Sequence, residues 1–213
     1  MPETRRRRRW PWIVGAVIVV LLVPVAILVV PIVTHQSEGI SHQDDTTISF
    51  PTAVTATGDD GRTRELAVAA PESGGAVDTR ALTPGERIVV TGSGYDGSRG
   101  IYVAICVIPD DPTIKPGPCI GGVPEQAQET VEAGTVQYAA SNWINDDWAW
   151  KLFGARSYDD VAAGTFTAYL EVGDPKGDGF DCSTQACGIF TRNDHTALGD
   201  RVQDLYIPVQ FAG

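Results

Sequence analysis

The apolar positions follow two regimes along the chain. From Trp10 to Val33, 24 consecutive residues carry no charge. As a helix this run spans about 36 Å, against a hydrocarbon core of about 30 Å. Its Val, Ile and Leu content suits lipid, where a helix satisfies its own backbone groups. Pro24 removes one internal donor and predicts a kink, and Pro31 predicts helix termination near the far boundary. Trp10 and Trp12 stand at the near boundary, where amphipathic rings favour the headgroup level.

Beyond Val33 the pattern shortens to strand length. Residues 34–45 are polar and lack periodicity, which predicts a stalk. TTISFPTAVTAT (46–57) is rich in β-branched residues and predicts an extra edge strand, with Pro51 better suited to an edge than a centre. Gly58-Asp59-Asp60-Gly61 is a turn signal. Strand signals then recur at Glu65–Ala69, Arg87–Thr91, Gly100–Ile108, Thr165–Val172, Cys187–Thr191 and Leu205–Phe211. Gly100–Ile108 is the most apolar, which predicts a central strand. Over 165–172, Phe166, Ala168 and Leu170 share one face and Thr165, Thr167 and Tyr169 the other. Pro208 predicts an edge or a bulge for the last strand. Residues 109–124 hold five prolines and three glycines and read as a loop. Residues 125–160 show no sustained period and form an aromatic insertion, within which QAQETVEA predicts a short helix. About seven short strands without a long repeat predict an all-β sandwich on a single N-terminal transmembrane helix. The expected organisation is a basic tail (1–9), a span (10–33), a stalk with an extra edge strand (34–62) and a sandwich domain (63–213).

Charge sharpens this layout. The net charge of −11 hides a basic tail of about +4, from Arg5 to Arg9 and one Glu, and an acidic remainder near −15. Arginines directly before a span keep the N-terminus cytoplasmic and predict export of residues 34–213. An acidic body excludes nucleic acid as the main partner, because duplex binding rests on cationic contacts to phosphate. The arginine run needs no nucleic acid to explain it, since its place against the bilayer suffices. A cleaved signal peptide is the competing reading. The apolar run is too long for one, and THQSE after it offers no small-x-small site. The expectation is therefore an uncleaved signal anchor.

Four cysteines, Cys106, Cys119, Cys182 and Cys187, fall in the exported part. An even count in an oxidising compartment reads as two disulfides, with three pairings open. The local pairing would close two short loops, contributing about 3 and about 2 kcal/mol. A zinc site is disfavoured, because no paired C-x-x-C spacing occurs.

RIVVTGSGYDGSRGIYVAIC resembles the second and third strands of neocarzinostatin-type apoproteins, and FDCSTQACGIFTRND resembles their short disulfide-closed loop and the following strand. GSGYDGSRGIYVAIC, SNWIND, AGTFTAYLEV, DCSTQAC and TRNDHTALGDRVQDLYIPVQF are also similar to an immunoglobulin-like domain of actinobacterial cell-surface proteins. That domain often accompanies haem-transport surface domains. The resemblance covers roughly residues 81–213. It implies an immunoglobulin-like (neocarzinostatin-like) β-sandwich, the local disulfides Cys106–Cys119 and Cys182–Cys187, and an envelope location. It does not carry function with it.

Trp143, Trp148 and Trp150, with Phe153, Tyr158, Asp146 and Asp147, make the leading candidate ligand or partner surface. This aromatic segment interrupts the strand pattern, although it would serve equally as a lid over the sandwich. Asp194-His195-Thr196 with Asp200, Arg201 and Asp204 forms a polar cluster. No G-x-S-x-G elbow accompanies it, so turn hydrogen bonds at Asp194 and an Arg201–Asp pair are expected there rather than catalysis. Asp174, Asp178 and Asp181 lack the spacing of a calcium loop. Ser93 and Ser98 lie in a glycine-rich turn that leads into a strand, not the helix a phosphate loop requires. The expected function is a membrane-anchored, envelope-facing interaction module, an accessory subunit or adaptor with a protein partner. Binding of haem or an apolar natural product is the alternative. Neither enzyme activity nor a metal or cofactor is expected.

Overall fold

The computed structural model describes residues 10–47, 49–71, 75–121 and 136–213. The arginine run and QAQETVEA lie outside the described residues. The chain divides into two compact units, Met1–His35 and Gln36–Gly213.

In the first unit, helix α1 (Trp10–Thr34) is long and apolar enough to cross a membrane. It runs through both Pro24 and Pro31. Pro31 therefore does not end the helix, and three further residues follow it. The Thr34 hydroxyl donates to the Val30 carbonyl at 2.7 Å, supplying one of the partners that the last turn lacks.

The second unit holds strands β1 (Ala53–Thr57), β2 (Thr63–Ala69), β3 (Arg87–Ser93), β4 (Ile101–Val107) and β5 (Ser141–Ile144). The short helix α2 (Trp148–Lys151) follows, then β6 (Phe166–Glu171), β7 (Lys176–Gly177), β8 (Phe180–Asp181), β9 (Cys187–Asn193) and β10 (Tyr206–Val209). One antiparallel sheet has the order β1-β2-β3-β6, the other β10-β9-β4-β5, and β7-β8 is a small hairpin. The all-β sandwich follows directly from these two packed sheets. The extra strand predicted near Thr46–Thr57 is β1, an edge of the first sheet. Pro208 stands in β10, an edge of the second, where its missing N–H breaks no ladder.

Period-two alternation fills the space between the sheets. Val54, Leu66, Val68, Ile88, Val90, Phe166, Ala168 and Leu170 face inward from the first sheet and are buried. Ile101, Val103, Ile105, Ile144, Ile189 and Ile207 meet them from the second. Gly92 is a glycine for a steric reason. A Cβ there would stand 2.2 Å from the Phe166 ring, which packs edge-on against Tyr95 at 5.1 Å.

Register sets which loops share an end. Ser93, Ile101, Ile144, Phe166 and Asn193 lie at one end of their strands, here called the Ile101 end. The β1–β2, β3–β4, β5–β6 and β9–β10 loops all leave from it. The disulfides are the local ones, Cys106–Cys119 and Cys182–Cys187. The first ties the proline-rich loop back to β4, beside a small apolar cluster of Ala104 and Phe190 on the outer face of the second sheet.

The predicted stalk is mostly not one. The Gly39 carbonyl accepts from Arg201 N at 3.1 Å, and Ile40 exchanges backbone and side-chain bonds with Asp59. The Gln43 amide donates to the Tyr206 carbonyl at 2.8 Å and accepts from Tyr206 N at 2.7 Å. It thereby caps the open edge of β10 as a strand would. Only residues 35–38 separate α1 from this docked segment.

Arg64 occupies an inward position of β2 and is wholly buried. Its guanidinium donates to both carboxylate oxygens of Asp60 and lies 6.0 Å from the Tyr95 ring centroid. Burial pushes the Asp60 carboxyl up, but the bonds from Arg64 and from Arg62 N outweigh it and hold it below its ordinary value. Arg64→Ala should cost about 3–5 kcal/mol, because it empties a fully buried side-chain site and leaves the largely buried Asp60 carboxylate without its guanidinium partner. Urea unfolding of this variant beside the double change Arg64→Met/Asp60→Asn checks this. The double variant should lose less, and a single variant within about 1 kcal/mol of the parent would remove the ion pair from the account.

Candidate functional site

The aromatic segment is an excursion pinned at both ends. Arg156 N donates to the Trp143 carbonyl at 2.8 Å, and Asn145 N donates to the Arg156 carbonyl at 2.8 Å. Between these points the chain makes one short helix. Asp147 caps α2, accepting from Ala149 N at 2.9 Å. Asp146 pairs with Lys151 at 2.6 Å, and that bond holds the Asp146 carboxyl below its ordinary range.

The five aromatic candidates separate into three groups. Trp143 is half-buried on the outer face of β5 and donates its indole N–H to Asp194 Oδ2 at 2.8 Å. Its ring lies 5.9 Å from those of Tyr102 and Trp150 and 5.3 Å from His195. Trp150 stands edge-on to His195 at 4.6 Å. These rings form a ledge fixed to the sheet. Trp148 and Phe153, together with Leu152, are open to solvent, at 70%, 59% and 71% exposure, with the Phe153 ring 6.3 Å from that of Trp150. Tyr158 joins neither group. It is buried in the core against Phe166, and its hydroxyl donates to the Arg99 carbonyl at 2.9 Å. The segment is thus a lid at its base and an open apolar surface at its tip.

Asp194 holds the base. Its buried carboxylate accepts from Trp143, from Asn145 Nδ2 at 2.8 Å, and from the backbone and hydroxyl of Thr196 at 2.8 and 2.5 Å. Gly100 makes room for it, since a Cβ there would stand 1.9 Å from Asp194 Oδ2. His195 Nδ1 lies 3.1 Å from the Tyr102 hydroxyl. Burial, with the Asp194 charge second, pushes that hydroxyl up to about 12. The expected turn bonds at Asp194 are present, and so is the Arg201–Asp204 pair, at 2.7 Å. The partner at hydrogen-bond distance from His195 is a phenol rather than a nucleophilic serine.

Asp174, Asp181 and Ser98 serve turns, and Ser93 ends β3. Asp174 accepts from Lys176 N, and Asp181 pairs with Lys176 and caps Ser183. Ser98 bonds to Asp96 within its own turn. Among the described residues no cluster of three potential metal ligands occurs.

Two features were not anticipated from the pattern. One is a polar chain through the interior. The Tyr95 hydroxyl meets Thr191 at 3.0 Å, and Gln203 Nε2 donates to Asn193 at 2.8 Å. The Thr191 hydroxyl links the two by donating to the Gln203 carbonyl at 2.8 Å. The other is a groove of about 380 Å³ on the outer face of the second sheet. Gln43 and Ile114 help to wall it, and Phe190 and Tyr206, stacked at 5.0 Å, line it. Asp204 also reaches it. One Asp204 oxygen bonds to Arg201, while Oδ1 is buried with no hydrogen-bond partner among the described residues. Alternation could have flagged Arg64 and Thr191 as inward polar residues, but nothing in the pattern marks the groove.

No known family profile matches the chain. It is 32% identical over 136 residues to the Thiamine biosynthesis protein X of Corynebacterium glutamicum, a match covering 64% of this chain and 61% of that protein. Macromomycin is a solved structure of the neocarzinostatin type. It superposes with a TM-score of 0.35 at 17% identity, over 69% of this chain and 99% of its own. The sandwich assignment rests on strand order and core, not on that superposition.

Asp204 makes the site region pH-sensitive. Burial dominates, and although Arg201 opposes it the carboxyl is pushed from its ordinary 3.8 up to about 7. A raised acid binds its proton more tightly in the folded state, so its contribution is full below pH 3.8 and lost as pH rises through 7. The exposed aspartates with lowered values are ionised in both states across the upper part of this window. Folding stability should therefore fall as pH rises between about 5 and 7, and Asp204→Asn should flatten that slope. Denaturant unfolding at stepped pH checks it, and an unchanged slope in the variant would refute the assignment.

Proposed function

We propose that the chain is a membrane-anchored, extracytoplasmic binding module that engages its partner through the apolar tip at the Ile101 end. The anchor is α1, with Arg5–Arg9 on the cytoplasmic side under the positive-inside rule. Two disulfides suit an oxidising compartment. The observation that carries the reading is the exposure of Trp148, Leu152 and Phe153 on a loop pinned at both ends. A pinned loop loses little further entropy when it binds, so its apolar area is converted to affinity at low cost. The acidic surface around it favours a basic or neutral partner over nucleic acid. An accessory or adaptor role in an envelope assembly fits such a module.

A second reading is supported by the groove over Phe190 and Tyr206, whose size suits a small molecule. The relative's name directs the choice of ligand to thiamine, a flat cation that a stacked aromatic pair and a nearby carboxylate would suit. Haem and apolar natural products are the other ligands to titrate.

Affinity purification of the full chain in mild detergent tests the first reading. Trp148→Ser/Phe153→Ser should abolish capture of the partner while leaving unfolding unchanged, since both side chains are mostly solvated. A chain that purifies reproducibly alone would count against the adaptor role. Fluorescence titration with thiamine and with haem tests the second. Saturable binding that is lost on Tyr206→Ala supports the groove, and a flat titration with both ligands removes it.

A further inference from the structure

We infer that the partner of the apolar tip is the bilayer itself, the lipid surface of the membrane that α1 crosses. This deepens the preceding reading and rests on its anchor.

The first observation is where the exposed apolar side chains lie. Among the described residues of the sandwich unit, seven large hydrophobic side chains are exposed. Five of them, Trp148, Leu152, Phe153, Val161 and Leu198, belong to loops at the Ile101 end. Soluble surfaces scatter such residues singly, whereas concentration at one end marks a contact surface.

The second observation is where the chain enters the sandwich. Gly39 and Ile40 are bonded to Arg201 and Asp59, in the β9–β10 and β1–β2 loops. Both loops leave the Ile101 end, so the anchor's tether arrives at the same end as the apolar side chains, at the β1 and β10 edge, whereas the aromatic tip is at the β5 and β6 edge. Five peptide steps from Thr34 to Gly39 reach at most about 18 Å. The headgroup zone outside the hydrocarbon is about 5–7 Å deep on each side. The covalent link therefore keeps this end of the sandwich within a short reach of the headgroups, whatever its orientation.

The third observation is chemical. A tryptophan, a leucine and a phenylalanine on one tight loop are the residue types that enter the boundary between headgroups and acyl chains. Lys151 is already paired with Asp146, and with Asp147 the loop carries about one net negative charge. Attraction to anionic headgroups does not explain the contact, so the inference commits to apolar insertion into a zwitterionic surface. Trp148 inserts, with Leu152 and Phe153 beside it in sequence on the same short loop.

Quenching by brominated lipid tests this on the full chain. Trp10→Phe and Trp12→Phe remove the reporters in α1 and leave three sandwich tryptophans. The protein is reconstituted into phosphatidylcholine vesicles, with and without bromine on the acyl carbons nearest the headgroup. Roughly a third of the emission should be lost in the brominated vesicles if one reporter of three sits at the interface. Adding Trp148→Phe should abolish that loss. Because Trp148 is mostly solvated, this variant keeps the fold, which near-ultraviolet circular dichroism verifies. Equal emission in the two kinds of vesicle overturns the inference. Capture of a protein that needs Trp148 and Phe153, without bromine quenching, also overturns it while leaving the binding module intact. Quenching without a captured protein supports lipid as the partner.

Discussion

Asp194 is a buried carboxylate whose four donors are all neutral, and the Ile101 end is organised around it. A charge in that position is tolerable only when its hydrogen bonds are complete. Trp143, Asn145 and the two donors of Thr196 complete them. The donors come from two parts of the chain, Trp143 and Asn145 at the end of β5 and Thr196 beside Asp194, so satisfying the charge fixes β5, the start of the aromatic excursion and the β9–β10 loop together. Gly100 leaves the space that the carboxylate occupies. The aromatic ledge is a consequence. Once the Trp143 indole is bound to Asp194, Trp150 and His195 can only stack against it from outside.

This division into a held base and a free tip decides between the uses open to the aromatic segment. Tyr158, committed to the core, has little surface left to offer a ligand. The most exposed apolar side chains of the segment are Trp148 and Phe153, joined by Leu152, while Trp143 is held half-buried by Asp194. The groove over Phe190 and Tyr206 lies elsewhere on the same sheet, beside the Cys106–Cys119 disulfide. A small ligand and an apolar contact at the tip would therefore use different residues and need not compete.

What the sequence disclosed follows from what alternation can encode. The strands from β2 to β4, and β6, β9 and β10, each present apolar residues at period two, and each lies where the pattern places it. β5 escaped because its inward residue Asn142 is polar. The Asn142 amide donates to the Tyr169 carbonyl at 3.0 Å and accepts from Tyr169 N at 3.2 Å, joining β5 to the edge of the opposite sheet. Gln43 does the same to Tyr206 at the opposite edge of its own sheet. In both places a side-chain amide replaces a strand's backbone, a pairing between distant residues that no local period records. The polar segment 39–45 reads as a solvated stalk for the same reason. The exposed tip was legible as aromatic composition, but which rings would be held and which free depended on Asp194, some fifty positions away.

The separation of charge along the chain has a structural counterpart. The acidic excess belongs to the second unit, and at the Ile101 end Asp60, Asp204 and Asp146 are matched one to one by Arg64, Arg201 and Lys151. Those pairs are neutral, so they add nothing to the net charge of that end. An acidic domain tethered by a few residues to a membrane should be pushed away from anionic headgroups over about a Debye length, near 8–10 Å. On the membrane-anchored reading, the neutral pairs and the apolar Trp148, Leu152 and Phe153 limit that repulsion at the end of the sandwich where residues 39–40 join it.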